Sequence, residues 1–190
     1  MEFAIISEDL MRSPSHFQCV DSREFFYSTN NYHPTSSIQP FKWLDNNIPA
    51  EFVHPIVNNG DLCINKELAE IIMSFDPYGV EVYPAALVTK DSELSDRYIL
   101  AVNNIQDVAD FEKSAMEISP YGGELIIHRL FLSSEKLKSI PIEKRIVYRV
   151  KDAETAMFFA PEIYDLIKDD DRFSILKKLK KKTSMRAPKF

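Results

Sequence analysis

The sequence contains only four glycines among its 190 residues. None of them lies in a glycine-rich phosphate loop, so the sequence gives no support for a P-loop or dinucleotide-binding fold. It also lacks a Gly-x-Ser-x-Gly segment, the strand–turn–helix motif that presents the nucleophile of α/β-hydrolases. The scarcity of glycine therefore argues against the familiar sequence signatures of nucleotide binding and of serine hydrolysis.

Cysteine and histidine are also scarce, with two and four residues respectively. Cys19 and Cys63 form no Cys-x-x-Cys pair, and no two histidines have the spacing of a zinc motif. We therefore predict no metal site, no cofactor and no catalytic residue. Cys19 with His16 or His128 would be a nucleophile and base only if the fold brought them together, and a buried, unreactive cysteine is the more common case.

No segment is apolar for long enough to cross a bilayer. The first residues lack the basic and apolar regions of a secretory signal peptide. Apolar residues make up 45% of the chain and charged residues 27%, which is typical of a globular protein. With few cysteines, these features favour a reduced, cytoplasmic protein, although the sequence alone leaves one disulfide open.

Charge is distributed unevenly along the chain. All 29 acidic residues lie at or before Asp171 together with 15 basic ones, which gives residues 1–171 a formal net charge of −14. Residues 172–190 contain the other 8 basic residues and no acid. An acidic body repels nucleic acid and attracts basic partners, although the same charge also favours plain solubility. We expect the basic tail to be a solvated, fraying end.

One strand–helix–strand pattern occupies residues 61–83. A short apolar stretch precedes Asn65, whose side chain suits a helix N-cap. Apolar residues then recur at i, i+3, i+4 and i+7 over residues 66–75, which predicts one buried helix face. Pro77 and Gly79 end the helix before a β-rich segment. The residues expected to be buried on this face include Leu68, Ile71 and Ile72.

A similar pattern returns near the C-terminus, where residues 157–167 align without a gap with residues 62–72. Pro161 stands at the first helical position, where its missing N–H costs nothing, and both first turns contain acidic residues that suit the helix dipole. The alignment predicts a second strand–helix unit, with a returning strand at 173–176. It indicates either an internal repeat or simply two similar amphipathic helices. The residues expected to be buried in the second helix are Ile163, Leu166 and Ile167.

The fold class that these patterns predict is α+β, a β-sheet structure with two strand–helix–strand units. Trp43, the only tryptophan, is expected to pack in the core with its indole N–H satisfied. Further predicted elements are strands at residues 2–7, 97–102, 124–132 and 145–150, a weak helix at 107–118 and a connection or helical turn at 133–141. The chain is divided into an N-terminal strand and loop segment at 1–40, an α+β domain at 41–171 and a basic C-terminal tail at 172–190.

Several short segments occur in a familiar order. The first strand–helix unit is preceded by Phe41-Lys42-Trp43 and Ile48-Pro49. It is followed by Gly79 to Pro84 and by the segments 98–102, 110–114 and 124–132. The last segments in this order are Val147-Tyr148-Arg149 and Phe158-Phe159-Ala160-Pro161-Glu162-Ile163. This order, over residues 41–167, resembles the immunity-protein family eleven of bacterial polymorphic toxin systems, first catalogued as a domain of unknown function. A Tyr/Phe-Arg pair after a strand is typical of that family, and Tyr148 and Arg149 match it.

The resemblance implies a non-catalytic immunity protein that binds and neutralises a cognate toxin, often one delivered by a contact-dependent or type VI secretion system. The expected partner is a toxin or effector protein, with no nucleic acid and no membrane involved. The family does not fix the chemistry of the toxin, but the acidic body suits a basic one. Asp169, Asp170 and Asp171 are candidate partner-binding residues because they cluster at the end of a predicted helix.

Two other functions stay open on sequence grounds. One is an enzyme whose site is assembled from unlinked residues such as Cys19 and His128. The other is a nucleic-acid or membrane adaptor that acts through the basic tail at residues 172–190.

Overall fold

The computed structural model describes residues 1–7, 16–20, 41–58, 61–118 and 125–182. Most of the predicted N-terminal loop and the end of the basic tail lie outside these residues. The strands are β1 Glu2–Ser7, β2 Gln18–Cys19, β3 Phe41–Leu44, β4 Ile56–Asn58, β5 Leu62–Asn65, β6 Val80–Val88, β7 Glu93–Val102, β8 Ile105–Gln106, β9 Ala115–Ile118, β10 Leu125–Arg129, β11 Val147–Val150, β12 Ala153–Phe159 and β13 Lys177–Lys182. The helices are α1 Lys66–Met73, α2 Ser134–Ser139 and α3 Pro161–Ile167.

The fold is α+β, as the sequence predicts, with two mixed sheets. Sheet A has the strand order β13-β1-β12-β11-β8, and sheet B has the order β2-β3-β6-β7-β5-β4. Neighbouring strands are antiparallel except for the pairs β8–β11 and β3–β6, which are parallel. Strands β9 and β10 form a separate two-stranded hairpin. No helix in the described ranges is long and apolar enough to span a membrane.

The two predicted strand–helix–strand patterns form units with the same spatial arrangement of strands and helix. In the first unit β5, α1 and β6 follow one another along the chain, and β7 lies between β5 and β6, antiparallel to both. In the second unit β12, α3 and β13 follow one another, and β1 lies between β12 and β13, antiparallel to both. Each helix packs against the middle strand of its own unit, and the two helices contact each other.

The hydrogen-bond register of the two units is also equivalent. The N-cap residues of the two helices, Asn65 and Ala160, occupy aligned positions. Asn65 donates its backbone N–H to the carbonyl of Pro55 at 2.8 Å, and Ala160 donates to the carbonyl of Ile146 at 2.7 Å. Pro55 and Ile146 each directly precede the strand that pairs with the unit's first strand, β4 and β11 respectively. The two units therefore share their spatial arrangement and register, but their connections differ, because the middle strand is β7, which follows β6, in the first unit and β1, which precedes the whole unit, in the second.

Most of the predicted helix faces are confirmed. Five of the six residues expected to be buried belong to or pack on one hydrophobic cluster that contains residues of both sheets and both helices. Ile71 is only half-buried, and Leu166 is 56% exposed, so the prediction for Leu166 is wrong. The reason is that α3 has seven residues and turns only Ile163 and Ile167, one turn apart, fully towards the core.

The basic tail does not fray between residues 177 and 182, contrary to the prediction. These residues form β13, which pairs with all six residues of β1. Leu179 packs on the second hydrophobic cluster, which covers the opposite face of sheet A. Lys178, on the other face, donates its ammonium to the carbonyls of Ile167 and Lys168 at the end of α3, at 3.0 and 3.2 Å. Side chains on both faces of β13 therefore contact the rest of the protein.

Three further expectations need correction. Residues 107–118 form no helix in the structure; they contain an isolated bridge at Ala109, a turn and strand β9. The returning strand of the second unit begins at Lys177, because the chain first makes a 3-10 turn at Asp171–Phe173. Trp43 is buried as predicted, but its indole N–H has no hydrogen-bond partner among the described residues.

Candidate interaction surface

The three aspartates selected from the sequence lie directly after α3. Asp170 caps the following 3-10 turn by accepting from the backbone N–H of Arg172 at 2.9 Å. It also pairs with the Arg172 guanidinium, with 2.6 Å between Oδ2 and Nη2, and this hydrogen bond lowers the pKa of Asp170. Asp169 and Asp171 are exposed. The candidate patch therefore presents Asp169 and Asp171, while Asp170 has a local structural role.

The acidic and basic residues that are separated along the sequence lie partly side by side in the fold. Lys180 of β13 lies 3.0 Å from Asp165 on α3 and 3.5 Å from Glu2 on β1, measured from Nζ to the nearest carboxylate oxygen. Strand β13 thus places basic side chains beside acidic ones. The end of α3 is consequently less negative than a count along the sequence suggests.

Cys19 and His128, one of the two alternative nucleophile–base pairs, lie on different β structures. Cys19 is on β2, at the edge of sheet B and opposite Trp43. His128 is on β10 of the separate hairpin, with Nε2 at 3.1 Å from Oε1 of Glu117. His16 donates its backbone N–H to Asp45 at 2.8 Å. Within the described ranges, no group of three or more His, Cys, Asp or Glu side chains could hold a metal ion.

A different region has the shape of a binding site. A cavity of about 460 Å³ opens where β1 begins, β12 ends and α3 starts, beside the 3-10 turn at Ile142–Arg145. Its walls are mainly apolar. The side chains that form most of them are Phe3, Phe75, Leu137, Ile142, Ile146 and Phe159. A cavity of this size and lining is typical of a site that binds another molecule.

Polar groups occur at defined points of this cavity. Tyr148 is buried in its wall, and burial raises the pKa of its hydroxyl. Arg145 reaches Met1, with 3.5 Å between Nη1 and Sδ, and its Nε is buried without a hydrogen-bond partner in the described part of the chain. Glu2 and Glu162 also line the cavity, and the Glu2 carboxylate is paired with Lys180. The cavity therefore combines a mainly apolar lining with a few charged residues.

Exposed apolar side chains stand at the cavity's edge. Ile142 is 69% exposed and Met1 37% exposed, and both line the opening. Tyr78 does not line the cavity but is 51% exposed and is connected to the turn that contains Ile142, because its backbone N–H donates to the carbonyl of Glu143 at 3.3 Å. Lys144 lies over the Tyr78 ring, 4.4 Å from its centroid. We call the cavity together with Met1, Tyr78 and Ile142 the apolar rim site.

The 3-10 turn that contains Ile142 is held in place by hydrogen bonds. The side-chain amide of Asn104, which is buried, donates to the carbonyls of Lys144 at 2.9 Å and Val147 at 2.6 Å. The hydrogen bond from Tyr78 to Glu143 holds the same turn from the side. The rim is thus preorganised, which lowers the entropic cost of binding through it.

The equivalent position of the first unit holds a buried arginine. Arg97, which is 7% exposed, donates from Nη1 to the backbone carbonyl of His54 at 2.8 Å. In the register described above, Arg97 corresponds to Phe3 and His54 corresponds to Arg145. The equivalent positions are therefore occupied by a buried guanidinium in the first unit and by a buried phenylalanine, which lines the cavity, in the second.

Sequence reasoning did not find the apolar rim site. Its walls come from the start of the chain, the end of α1, the 137–148 region and the start of α3, so no local motif contains them. The sequence contained one indication of an exposed apolar residue, because Ile142 stands between Pro141 and three charged residues.

Tyr148 and Arg149, the pair that supports the family resemblance, are both buried, and Tyr148 lines the cavity. The chain matches no protein-family model and no curated protein.

Proposed function

We propose that this protein is an immunity-type inhibitor, which binds a basic toxin or effector protein in the cytoplasm of the cell that makes both and neutralises it without catalysing a reaction. The observation that carries this proposal is the apolar rim site. Exposed apolar side chains around a preformed cavity are a typical feature of protein-binding surfaces, because their burial by a partner is favourable.

The order of short segments over residues 41–167 supplies the class of partner, through its resemblance to the immunity-protein family. The charge of the chain supports a basic partner. The formal net charge is −6, and the exposed Glu162 lines the cavity. Opposite net charges accelerate association and suppress binding to wrong partners.

The adaptor alternative is disfavoured by the position of the tail. Lys178 is bonded to the end of α3 and Lys180 to Asp165 and Glu2, so a polyanion would have to displace these contacts. The enzyme alternative predicts a different result: a folded His128→Ala variant would still bind the toxin but would no longer protect against it.

The proposal predicts a toxin-domain gene beside that of the chain, and the test is co-expression of the two proteins. Cells that carry both should grow, whereas cells that carry the toxin alone should stop growing. The purified proteins should also form a stoichiometric complex whose association slows as salt is raised. Failure of the wild-type chain to protect, at a level of expression where it is folded and abundant, would overturn the proposed function.

A further inference from the structure

The cavity of the apolar rim site has few polar groups that could hold ordered water. It measures about 460 Å³, and aromatic and aliphatic side chains form most of its walls. Apolar cavities hold water poorly, because each water molecule needs several polar partners. Wall atoms that face no neighbour also forgo dispersion contacts. A small molecule with an apolar body therefore suits this cavity better than a polar one does.

One buried hydrogen-bond donor belongs to the cavity wall. Tyr148 is 2% exposed and lines the cavity. Its hydroxyl forms no hydrogen bond with any described residue. Burial raises the pKa of this hydroxyl, so it keeps its proton and acts as a donor at neutral pH. A buried hydroxyl without a partner is costly, and a molecule that brings an acceptor into the cavity removes that cost.

The ring of Tyr148 is held in place by its neighbours. It stacks on Phe158, with 5.6 Å between the ring centroids and 23° between the ring planes. Phe3, which also lines the cavity, meets Phe158 edge-on at 5.1 Å between centroids. The donor is therefore preorganised, and little side-chain entropy is lost when an acceptor binds to it.

Arg145 makes a charged acceptor preferable to a neutral one. Its positive charge acts on the Tyr148 hydroxyl and lowers the pKa of Tyr148, against the larger effect of burial. Arg145 forms no ion pair with a carboxylate of the described residues. Its Nε is enclosed, so a ligand would meet the Nη groups, of which Nη1 lies 3.5 Å from Sδ of Met1 on the exposed side. An anion beside Tyr148 would gain both a hydrogen bond and this cation.

The other charges in and beside the lining offset one another. Lys180 is paired with Glu2 at 3.5 Å, and the neighbouring turn carries one carboxylate and two cations. The positive groups are the Met1 ammonium, Lys144, Arg145 and Lys180, and the negative groups are Glu2, Asp76, Glu143 and Glu162. The surroundings as a whole therefore favour neither sign, and the position of Arg145 near the Tyr148 hydroxyl decides the preference.

We propose that this cavity binds a monocarboxylic acid with an apolar body, of the kind represented by a medium-chain fatty acid. The alkyl chain lies against Phe3, Leu137 and Ile146, and the carboxylate accepts from the Tyr148 hydroxyl beside the Arg145 guanidinium. The inference goes beyond the proposed function, because it concerns a small molecule and does not depend on the partner protein.

Titration of the purified chain with decanoate tests the proposal. Methyl chemical shifts followed by NMR should saturate at one equivalent, with the largest shifts at Leu137 and Ile146. Decylammonium has the same chain with the opposite charge and should bind about tenfold more weakly or worse. Butyrate has the same head group with a shorter chain and should also bind about tenfold more weakly or worse. Equal affinity for decanoate and decylammonium, or shifts confined to another surface, would overturn the proposal.

A matched pair of tyrosine variants tests the donor. Tyr148→Phe keeps the stacked ring and removes only the hydroxyl, so the fold should survive, and a thermal melt without ligand verifies this. The variant should bind decanoate about tenfold more weakly, because a hydrogen bond to a charged group is lost. Tyr78→Phe removes a hydroxyl from a residue that is 51% exposed and does not line the cavity, so its affinity should equal that of the wild type. Equal affinity of Tyr148→Phe and the wild type would contradict the proposed position of the carboxylate.

A second pair of variants tests the cation. Arg145→Gln should weaken decanoate binding several-fold, whereas Lys144→Gln, which removes the same charge from the same turn, should weaken it less. Equal effects of the two would show that Arg145 does not contact the carboxylate and would overturn that part of the inference. None of these measurements uses the toxin. A chain that binds decanoate but fails to protect cells therefore loses only the proposed function, and a chain that protects cells but does not bind decanoate loses only this inference.

Discussion

Lys180 on β13 and Asp165 on α3 form an ion pair with 3.0 Å between Nζ and Oδ2. The pair connects the last described strand to the helix of the second unit. It forms because β13 lies beside β1 and directs Lys180 to the face that α3 covers. Its hydrogen bond lowers the pKa of Asp165 below the ordinary value of 3.8.

We expect this ion pair to give stability that depends on pH with a defined sign. A carboxyl group whose pKa is lowered by folding stabilises the folded state above its unfolded pKa, and this stabilisation is lost as the pH falls through the folded value. The difference in unfolding free energy between the wild type and Asp165→Asn should therefore be constant from about pH 5 to 8 and should shrink below pH 3.8. Urea titrations across this range measure it. A difference that grows on acidification would contradict the assignment.

Leu179 provides a test of the pairing of β13 in solution. It is half-buried against the second hydrophobic cluster and lies opposite Ile5. Leu179→Ala should lower the unfolding free energy by about 1–2 kcal/mol, less than the roughly 2–5 kcal/mol typical of a fully buried leucine. Lys177→Ala, an exposed position on the same strand, should change it by less than about 0.5 kcal/mol. Equal unfolding free energies for Leu179→Ala and the wild type would indicate that this segment frays after all.

Ile72 and Leu166 should respond very differently to truncation. Ile72 is buried in the main core, whereas Leu166 is more than half exposed. Ile72→Ala should cost about 2–5 kcal/mol because it leaves a cavity, and Leu166→Ala should stay within about 0.5 kcal/mol. Denaturant unfolding with a constant m-value measures both changes. A large loss for Leu166→Ala would mean that another element covers α3 there.

The contribution of the aspartate cluster to partner binding can be separated from its structural role. Asp170 is excluded from the change because it caps the turn and pairs with Arg172. The double variant Asp169→Asn and Asp171→Asn should reduce the association rate with the toxin by a few-fold at about 0.1 M salt, and the reduction should fade at higher salt. Stopped-flow kinetics measures it. An association rate equal to that of the wild type would remove the cluster from the interface.

The helices could be predicted because their signals are local. The Asn65 side chain accepts from the backbone N–H of Leu68 at 3.2 Å, so the predicted N-cap is present, and Pro161 starts α3 where the sequence indicated. Leu166 was predicted wrongly because a sequence pattern gives the width of an apolar stripe but not which neighbouring element covers its edge.

Strand β13 could not be predicted in the same way. Its composition is dominated by lysine, and only Leu179 marks an apolar face. Lysine suits the edge of a sheet, where it discourages pairing with other chains and its long stem covers apolar surface. The decisive interaction is with β1, far away in sequence. The apolar rim site was missed for the same reason, since its walls come from four distant segments.

The position of β1 has a consequence for the order in which the protein folds during synthesis. β1 is made first, but its two neighbours in sheet A, β12 and β13, are made last. Sheet B uses only strands between residues 18 and 102, so it can assemble while the rest of the chain is still being translated. Domains form progressively from the N-terminus on the ribosome, and unpaired apolar strands are prone to aggregation in the meantime. The folded protein buries four apolar residues of β1 on the two faces of sheet A, namely Phe3, Ala4, Ile5 and Ile6. These residues therefore have no partner strand through most of translation.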